Sequence, residues 1–231
     1  MIYDTLASYY DALVKDDQAT QAWVEWIEEF TEPCSMLELA CGSGEITHAL
    51  AQDGFSMNAL DLSSEMIEQA RKKDRSVSFY CGDMRDLSQF QTYDAVACLC
   101  DSFNYLLDKA EVRLFFKEVF DHLNPHGLFF FDTHSLDRIE EFKNEYNETG
   151  RIDNIDYQWS ITSEEDIIYQ DFAFYQANGM VIQEHHMQRV YDPAWLEEVL
   201  SEFFDILSVR TDFDKKGIDS GEKYFYVCKK K

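Results

Sequence analysis

The chain has 231 residues, of which 45% are hydrophobic and 15% aromatic, so it can bury a globular core and lacks the composition of a disordered protein. It carries 45 acidic against 20 basic residues, and the resulting net charge of −25 repels phosphate backbones and anionic lipid surfaces. We therefore expect neither nucleic acid nor a membrane among its partners.

The cellular compartment is indicated by the absence of membrane-spanning, secretory and cysteine-pair motifs from the sequence. No stretch approaches the roughly 20 apolar residues that cross a bilayer, and the N-terminus lacks the basic and apolar regions of a secretory signal. The six cysteines include no C-x-x-C pair, and several stand in apolar runs, where a thiol behaves as a small hydrophobic group. These features predict a cytoplasmic protein with neither disulfides nor a metal site.

Residues 1–31 are expected to form an N-terminal helical arm of two segments. Apolar residues at helical spacing in the second segment predict that it packs on a core. They are Trp23, Trp26, Ile27 and Phe30.

From Ser35 onward, strands and helices alternate. Strands are predicted over residues 35–40, 55–60, 77–81, 95–100 and 128–131, and helices over 45–52 and 63–73. A further helix is predicted by apolar residues at a 3.6-residue period, namely Val112, Phe115, Phe116, Val119, Phe120 and Leu123. Strands separated by single helices indicate βαβ units, and hence a doubly wound, mostly parallel α/β sheet.

The pattern changes after Gly150. Three successive strands are predicted, over residues 157–162, 167–175 and 180–191, with no helix between them. We expect them to form a three-stranded antiparallel insertion at residues 151–192, serving either as a lid or as the interface of a homodimer. A helix over 193–203 and strands over 204–209 and 224–228 then complete a single domain of residues 1–231.

Three strand ends carry signs of a nucleotide site. The first strand leads into a helix through Glu38-Leu39-Ala40-Cys41-Gly42-Ser43-Gly44, whose glycines let a ligand approach the backbone near unpaired amides. Alone this is weak evidence, because a tight turn uses the same glycines. Asp61 ends the second strand, where a carboxylate can accept both ribose hydroxyls, and Gly82-Asp83-Met84 ends the third. All three ends share one sheet edge, where open α/β folds bind ligands.

Together these segments resemble the class I S-adenosylmethionine-dependent methyltransferases, in particular a small-molecule subgroup that includes amino-sugar N-methyltransferases. The resemblance covers roughly residues 35–134. Further segments that carry it are Leu62-Ser63-x-x-Met66, Tyr93-Asp94-Ala95-Val96, Asp101-Ser102-x-Asn104-Tyr105-Leu106 and, near the N-terminus, Tyr9-Tyr10-Asp11. The resemblance implies a Rossmann-like, seven-stranded sheet and S-adenosylmethionine as cofactor.

The resemblance also implies roles for individual residues. Gly42 and Gly44 would flank the methionine part of the cofactor, with Ala40 in place of a glycine found in many relatives. Asp61 would hold the ribose. The remaining cofactor-binding residues would be Leu62, Met66, Gly82, Asp83 and Met84 around the adenine, and Tyr10 and Cys100 over the methionyl end.

Two alternatives are weaker. A dinucleotide-binding oxidoreductase would have a further glycine where Thr47 stands, and a second mononucleotide-binding half where this chain has its insertion. A non-catalytic protein could keep the fold for binding or regulation, although its glycine loop and Asp61 would then be free to degenerate, and here both are intact.

Methyl transfer from a sulfonium is an in-line displacement, in which the protein mainly aligns the acceptor and excludes water. A base is needed only for an acceptor that arrives protonated, and His134, after the fifth strand, is our catalytic candidate, although it could equally be a loop histidine bonded to backbone. Substrate-binding candidates are Tyr9, Phe103, Tyr105, His185 and Arg189. Strand alternation places His185, Met187 and Arg189 on one face and His186 on the other.

The segment after strand four, Cys98-Leu99-Cys100-Asp101-Ser102, lacks both the Asn/Asp-Pro-Pro-aromatic element of nucleic-acid amine methyltransferases and a Pro-Cys nucleophile pair; the Pro33-Cys34 pair of this chain precedes the first strand. With the acidic charge, these absences predict a small, neutral or cationic acceptor. Whether its nitrogen or its oxygen is methylated stays open.

Overall fold

The computed structural model describes residues 16–152 and 155–231. The helices are α1 (Asp17–Glu28), α2 (Glu45–Gln52), α3 (Ser64–Lys73), α4 (Lys109–Asp121), α5 (Asp137–Phe142) and α6 (Pro193–Leu200). The strands are β1 (Ser35–Leu39), β2 (Ser56–Asp61), β3 (Ser78–Cys81), β4 (Tyr93–Cys98), β5 (Leu123–His134), β6 (Tyr146–Ile152), β7 (Ile155–Glu164), β8 (Ile167–Tyr175), β9 (Val181–Arg189), β10 (Phe204–Thr211), β11 (Lys215–Lys216) and β12 (Lys223–Lys230).

The main sheet has eight strands in the order β11-β10-β12-β5-β4-β1-β2-β3. Strands β1 to β5 run parallel, and β12 lies antiparallel between β5 and β10. The predicted doubly wound α/β sheet is confirmed, and the strand beyond the predicted seven is the two-residue β11. The strand order reverses between β1 and β4, and ligands bind beyond the carboxyl ends of strands at such a reversal.

Helices cover both faces of this sheet, which is why its central strands are continuous apolar runs. On one face α4 buries Val112, Phe115, Phe116 and Val119 of the predicted stripe, whereas Leu123, the last residue of that stripe, begins β5. On the other face, Trp23, Trp26 and Ile27 of α1 pack against the sheet. Helix α1 begins after Asp16, whose carboxylate accepts hydrogen bonds from two first-turn amides. The first segment of the predicted arm lies outside the described residues.

The insertion is a second sheet of four antiparallel strands in the order β6-β7-β8-β9. Three strands are predicted from the sequence, and β6 is the strand that the prediction omits. Apolar and polar residues do not alternate along β6 and only Ile152 is buried, so the strand gives no periodic signal. The second sheet therefore begins before residue 151, the predicted start of the insertion. Within the described ranges, no helix combines enough length with enough apolar character to cross a bilayer.

Strand β9 brings the insertion to the main sheet. Its burial alternates: Glu184, His186 and Gln188 are buried, whereas His185 and Met187 on the opposite face are exposed. The buried face contacts the short 3-10 turn Ser102–Tyr105 that follows β4. The two sheets therefore meet at the carboxyl edge of the main sheet.

Candidate active site

A cavity of about 340 Å³ opens at this edge, between the ends of β1 to β3 and the edge of β9. A smaller cavity of about 120 Å³ adjoins it and shares Ala40, Gly42, Cys100 and Ser102 with it. The lining is mostly apolar with a few polar groups, as is typical of small-molecule sites.

The glycine loop turns back on itself through left-handed backbone at Ala40, Gly42 and Gly44. Gly42 lines both cavities, and a Cβ there would meet no atom within 4 Å, so its backbone is open to a ligand. Gly44 lines neither cavity. A Cβ on Gly44 would lie 3.0 Å from the Ala70 Cβ and 3.2 Å from the Phe79 ring, so this glycine serves the packing of the loop.

Asp61 holds the glycine loop from the neighbouring strand. Its Oδ2 accepts a hydrogen bond of 2.8 Å from the Gly42 amide, and its Oδ1 accepts one of 2.8 Å from the Ser63 amide. Burial raises the pKa of Asp61, and these amides oppose the increase. Each carboxylate oxygen keeps a lone pair, so Asp61 can still accept ribose hydroxyls.

Glu38 is buried beneath the loop. The Thr47 hydroxyl donates to its Oε2 at 2.5 Å, and burial raises the pKa of Glu38 to about 7. Thr47 stands where a dinucleotide-binding loop would have its third glycine, and here its side chain instead satisfies a buried carboxyl group.

The side of the cavity formed by β2, β3 and α3 combines apolar surface with one ion pair. Leu62, which is 53% exposed, and Met84 line the same cavity. The Arg85 guanidinium donates to Asp83, with Nη2 2.6 Å from Oδ2, and holds the pKa of Asp83 below its usual value. The apolar walls suit a flat base, and the ion pair orients the Asp83 carboxylate at the rim.

A partly buried polar network lies behind the turn that contains Cys100 and Ser102. Lys223 Nζ is 2.5 Å from Asp101 Oδ1 and 3.3 Å from Asp132 Oδ2, and the Gln188 amide donates to Asp101 Oδ2 at 2.7 Å. Although burial favours the protonated form, Lys223 and then His134 hold the pKa of Asp101 at about 2. Burial raises the pKa of Asp132. The network ties β4, β5, β9 and β12 together.

His134 belongs to this network and does not line the cavity. It is 6% exposed, with Nε2 3.1 Å from Gln188 Oε1 and 3.6 Å from Asp101 Oδ2. Burial lowers the pKa of His134, against the attraction of Asp101. The expectation that His134 faces the transferred methyl group is therefore corrected: its side chain supports the turn.

The structure brings most of the predicted binding residues to the cavity, where their roles stay predictions. They are Ala40, Gly42, Asp61, Leu62, Met66, Gly82, Asp83, Met84, Cys100, Tyr105 and His185. Tyr9 and Tyr10 lie outside the described residues. Within those residues no three His, Cys, Asp or Glu side chains cluster as a metal site requires, and the prediction of no metal also stays a prediction.

Phe103 and Arg189 are corrected. Phe103 is fully buried, and its ring stacks on Phe116 at 5.6 Å between centroids, so it is a core residue and cannot bind substrate. Arg189 points to Asp166, with Nε 3.3 Å from Oδ2, and does not line the cavity.

The sequence prediction omitted some lining residues, namely Ser63, Arg85, Ser102, Leu106, Leu107 and Met187. Most of these residues directly neighbour a predicted residue in the sequence, so their position after the end of a strand could have indicated them. Met187 could have been found from alternation, since it shares a face with His185.

Comparisons with known proteins agree with this geometry. Residues 36–127 match a family model described as a methyltransferase domain. The chain is 36% identical, over its full length and 98% of the relative, to a Bacillus subtilis (strain 168) protein named "Putative methyltransferase YqeM". A crystal structure of an S-adenosylmethionine-dependent methyltransferase from Clostridium acetobutylicum ATCC 824 is 28% identical, with a TM-score of 0.84 over 98% of both chains.

A relative from Streptomyces fradiae, named dTDP-3-amino-3,6-dideoxy-alpha-D-glucopyranose N,N-dimethyltransferase, is 32% identical over 41% of this chain and 37% of its own. The fold and the strand-end site define a nucleotide-cofactor enzyme of the doubly wound α/β class. The chain belongs to the S-adenosylmethionine-dependent methyltransferase family: S-adenosylmethionine is its cofactor and methyl transfer is its reaction.

The residues present fit this cofactor. Gly42 offers open backbone, Asp61 offers carboxylate oxygens, and Leu62 and Met84 offer apolar walls. When bound, the cofactor supplies a methyl group on a positively charged sulfur. The chain's own residues then have two tasks, which are to align the acceptor with that methyl group and to exclude water.

Proposed function

We propose that the enzyme methylates a nitrogen or an oxygen of a small molecule. The observation that carries this proposal is the cavity itself, which β9 of the insertion lines through His185 and Met187. A cavity of about 340 Å³, lined mostly by apolar side chains with a few polar groups, has the size and lining of a small-molecule site. The amino-sugar relatives act on small molecules, which supports the same proposal.

We also propose that nucleic acid and membranes are not its partners and that it works in the cytoplasm. The net charge of −25 supports the first point, because it repels polyanions. All six cysteines are free, which suits a reducing compartment. Whether the insertion also pairs two copies of the chain is a question for sedimentation of the purified protein.

The test is transfer of radiolabel from methyl-labelled S-adenosylmethionine to a panel of acceptors. Ethanolamine and glucosamine represent amines, glycerol and catechol represent hydroxyl compounds, and duplex DNA and transfer RNA represent macromolecules. We expect label in one or more small acceptors and none in nucleic acid. Label in nucleic acid alone would contradict the proposal, and cofactor binding without transfer to any acceptor would favour the non-catalytic alternative.

A further inference from the structure

A chain of three polar side chains leads from the cavity wall into the insertion. Tyr105 lines the cavity, and its hydroxyl lies 2.9 Å from Nδ1 of His186. On the far side of that ring, Nε2 lies 3.5 Å from Oε2 of Glu184, which is within ion-pair distance but longer than a normal hydrogen bond. His186 is 2% and Glu184 8% exposed, so both stand inside the protein. This tyrosine–histidine–carboxylate chain has the order of a proton relay.

Two elements hold the chain in place. Alternation along β9 turns Glu184 and His186 to the same buried face, and the 3-10 turn Ser102–Tyr105 brings the tyrosine against that face. The Phe172 ring packs edge-on against His186, with 5.5 Å between centroids. A carboxylate beside Nε2 favours the tautomer that carries its proton there, which leaves Nδ1 to accept the hydrogen of the Tyr105 hydroxyl.

The composition of this face needs an explanation, because burying a carboxylate and an imidazole costs solvation. Neighbouring buried positions on β8, such as Phe172 and Phe174, are apolar and show that packing alone does not require charge here. Proton acceptance by a histidine next to a carboxylate is a function that does require these side chains.

We propose that Tyr105, backed by His186 and Glu184, deprotonates the acceptor, and that the acceptor is a small aliphatic amine that arrives as its ammonium ion. This inference rests on the proposed function and narrows it to nitrogen. An ammonium ion has no lone pair and cannot attack a methyl group, so a base at the cavity wall is what an amine substrate needs near neutral pH.

The step balances. An ammonium proton passes to Tyr105 Oη while the tyrosine proton passes to His186 Nδ1, which leaves a neutral amine, a neutral tyrosine and an imidazolium beside Glu184. The amine lone pair then forms a nitrogen–carbon bond to the methyl group as the carbon–sulfur bond breaks, with its electron pair going to sulfur. The positive charge passes from sulfur to nitrogen, and the proton on His186 returns to solvent after release of the products.

The other histidines at this edge fit the task less well. His134 lies behind Gln188 and away from the cavity. His185 lines the rim, but it stands on the exposed face of β9, where its Nδ1 pairs with Asp171.

The test compares kcat of wild type, Tyr105→Phe and Glu184→Gln on an amine of the panel that wild type methylates, ethanolamine or glucosamine. At about neutral pH we expect Tyr105→Phe to lower kcat about 10²-fold and Glu184→Gln to lower it in the same direction. The KM for S-adenosylmethionine and the affinity for S-adenosylhomocysteine should stay within about twofold. Tyr175→Phe, an exposed tyrosine on β8, is the matched control and should equal wild type.

A pH profile separates a base from a structural residue. Above the pKa of the amine itself the acceptor arrives neutral, so the deficit of Tyr105→Phe should shrink to within a few fold. Among residues 16–152 and 155–231, the ionisable groups in contact with His186 include Glu184 on its own strand and Tyr105 on the turn, whereas Gln170 opposite it on β8 is uncharged. The Asp171–His185 pair lies on the other face of the sheet.

Several outcomes would overturn the inference. They are wild-type kcat in Tyr105→Phe, a kcat deficit in Tyr105→Phe that is equal at neutral pH and above the pKa of the amine, or a parallel loss of S-adenosylhomocysteine affinity. Methylation of glycerol or catechol but of neither amine would overturn the inference while leaving the proposed function standing. A wild-type enzyme that methylates none of the panel would instead contradict the proposed function itself.

Discussion

The carboxylate of Asp61 has two tasks at the end of β2. It accepts hydrogen bonds from the backbone amides of Gly42 and Ser63, and it lines the cavity with lone pairs that can accept further hydrogen bonds. Its place after a strand is readable from the sequence, and so is a ribose-binding role. Its hydrogen bond with the glycine loop cannot be read from the sequence, because that contact depends on the pairing of β1 with β2.

We predict that Asp61→Ala weakens the binding of S-adenosylhomocysteine by about 1–3 kcal/mol, because the ribose loses its acceptors and the loop loses its anchor. Isothermal titration calorimetry measures the change. Asp53→Ala, at an exposed acid after α2, is the matched control and should bind as wild type does. Wild-type affinity in Asp61→Ala would remove Asp61 from the site.

Aromatic residues of the turn after β4 show a limit of sequence reasoning. Phe103 and Tyr105 are two residues apart and equally apolar in pattern, yet Phe103 is fully buried and Tyr105 lines the cavity. A 3-10 turn rotates each residue by about a third of a circle, so the two directions follow only from how the turn sits on the core.

Strand β9 connects the insertion to the main sheet through Gln188. Its side-chain amide donates to Asp101 Oδ2 at 2.7 Å, and its Oε1 accepts from Gln170 at 2.7 Å. One side chain thus fixes both the insertion and the turn that carries Cys100 and Ser102. The buried glutamine is satisfied on both sides, as a buried amide must be.

We predict that Gln188→Leu lowers the free energy of unfolding by about 1–3 kcal/mol, because it leaves the Asp101 carboxylate short of a buried donor. Urea denaturation followed by circular dichroism measures this. Gln183→Leu makes the same replacement at an exposed position of the same strand and should change stability by less than about 0.5 kcal/mol. Equal stability of the two variants would show that the Gln188 contacts contribute nothing.

Elements with a local periodic signal were predictable, and those defined by tertiary contacts were not. Helix α4 and strands β1 to β4 follow from apolar spacing and were predicted within a few residues of their observed bounds, whereas β5 begins at Leu123, five residues before its predicted start. Strand β6 has no apolar alternation, and its strand conformation follows from pairing with β7. The cavity-lining strand ends were predictable for the same local reason, whereas the tyrosine–histidine–carboxylate chain joins residues about 80 positions apart.

The acidic charge of the molecule includes groups whose protonation is linked to folding. Glu38 has a pKa raised by burial to about 7, against an ordinary value of 4.5. The folded protein therefore holds this proton where the unfolded chain has released it. The stability that Glu38 contributes is complete below about pH 4.5 and is lost as the pH rises through about 7.

We predict that Glu38→Gln, which cannot ionise, flattens the pH dependence of stability and makes the protein more stable than wild type at about pH 8, by roughly 2–3 kcal/mol. Unfolding in urea at about pH 5 and about pH 8 measures the difference. Glu28→Gln, at an exposed glutamate of α1, should keep the wild-type slope. A slope in Glu38→Gln as steep as in wild type would show that Glu38 is ionised in the folded protein.

Calorimetric titration of the purified protein with S-adenosylmethionine, S-adenosylhomocysteine and NADH tests most directly that the cavity at the carboxyl edge is a methyl-donor site. We predict one binding site per chain, with micromolar affinity, for each of the two sulfur compounds and no heat of binding for NADH. A protein that binds NADH but neither sulfur compound would contradict the account of the site.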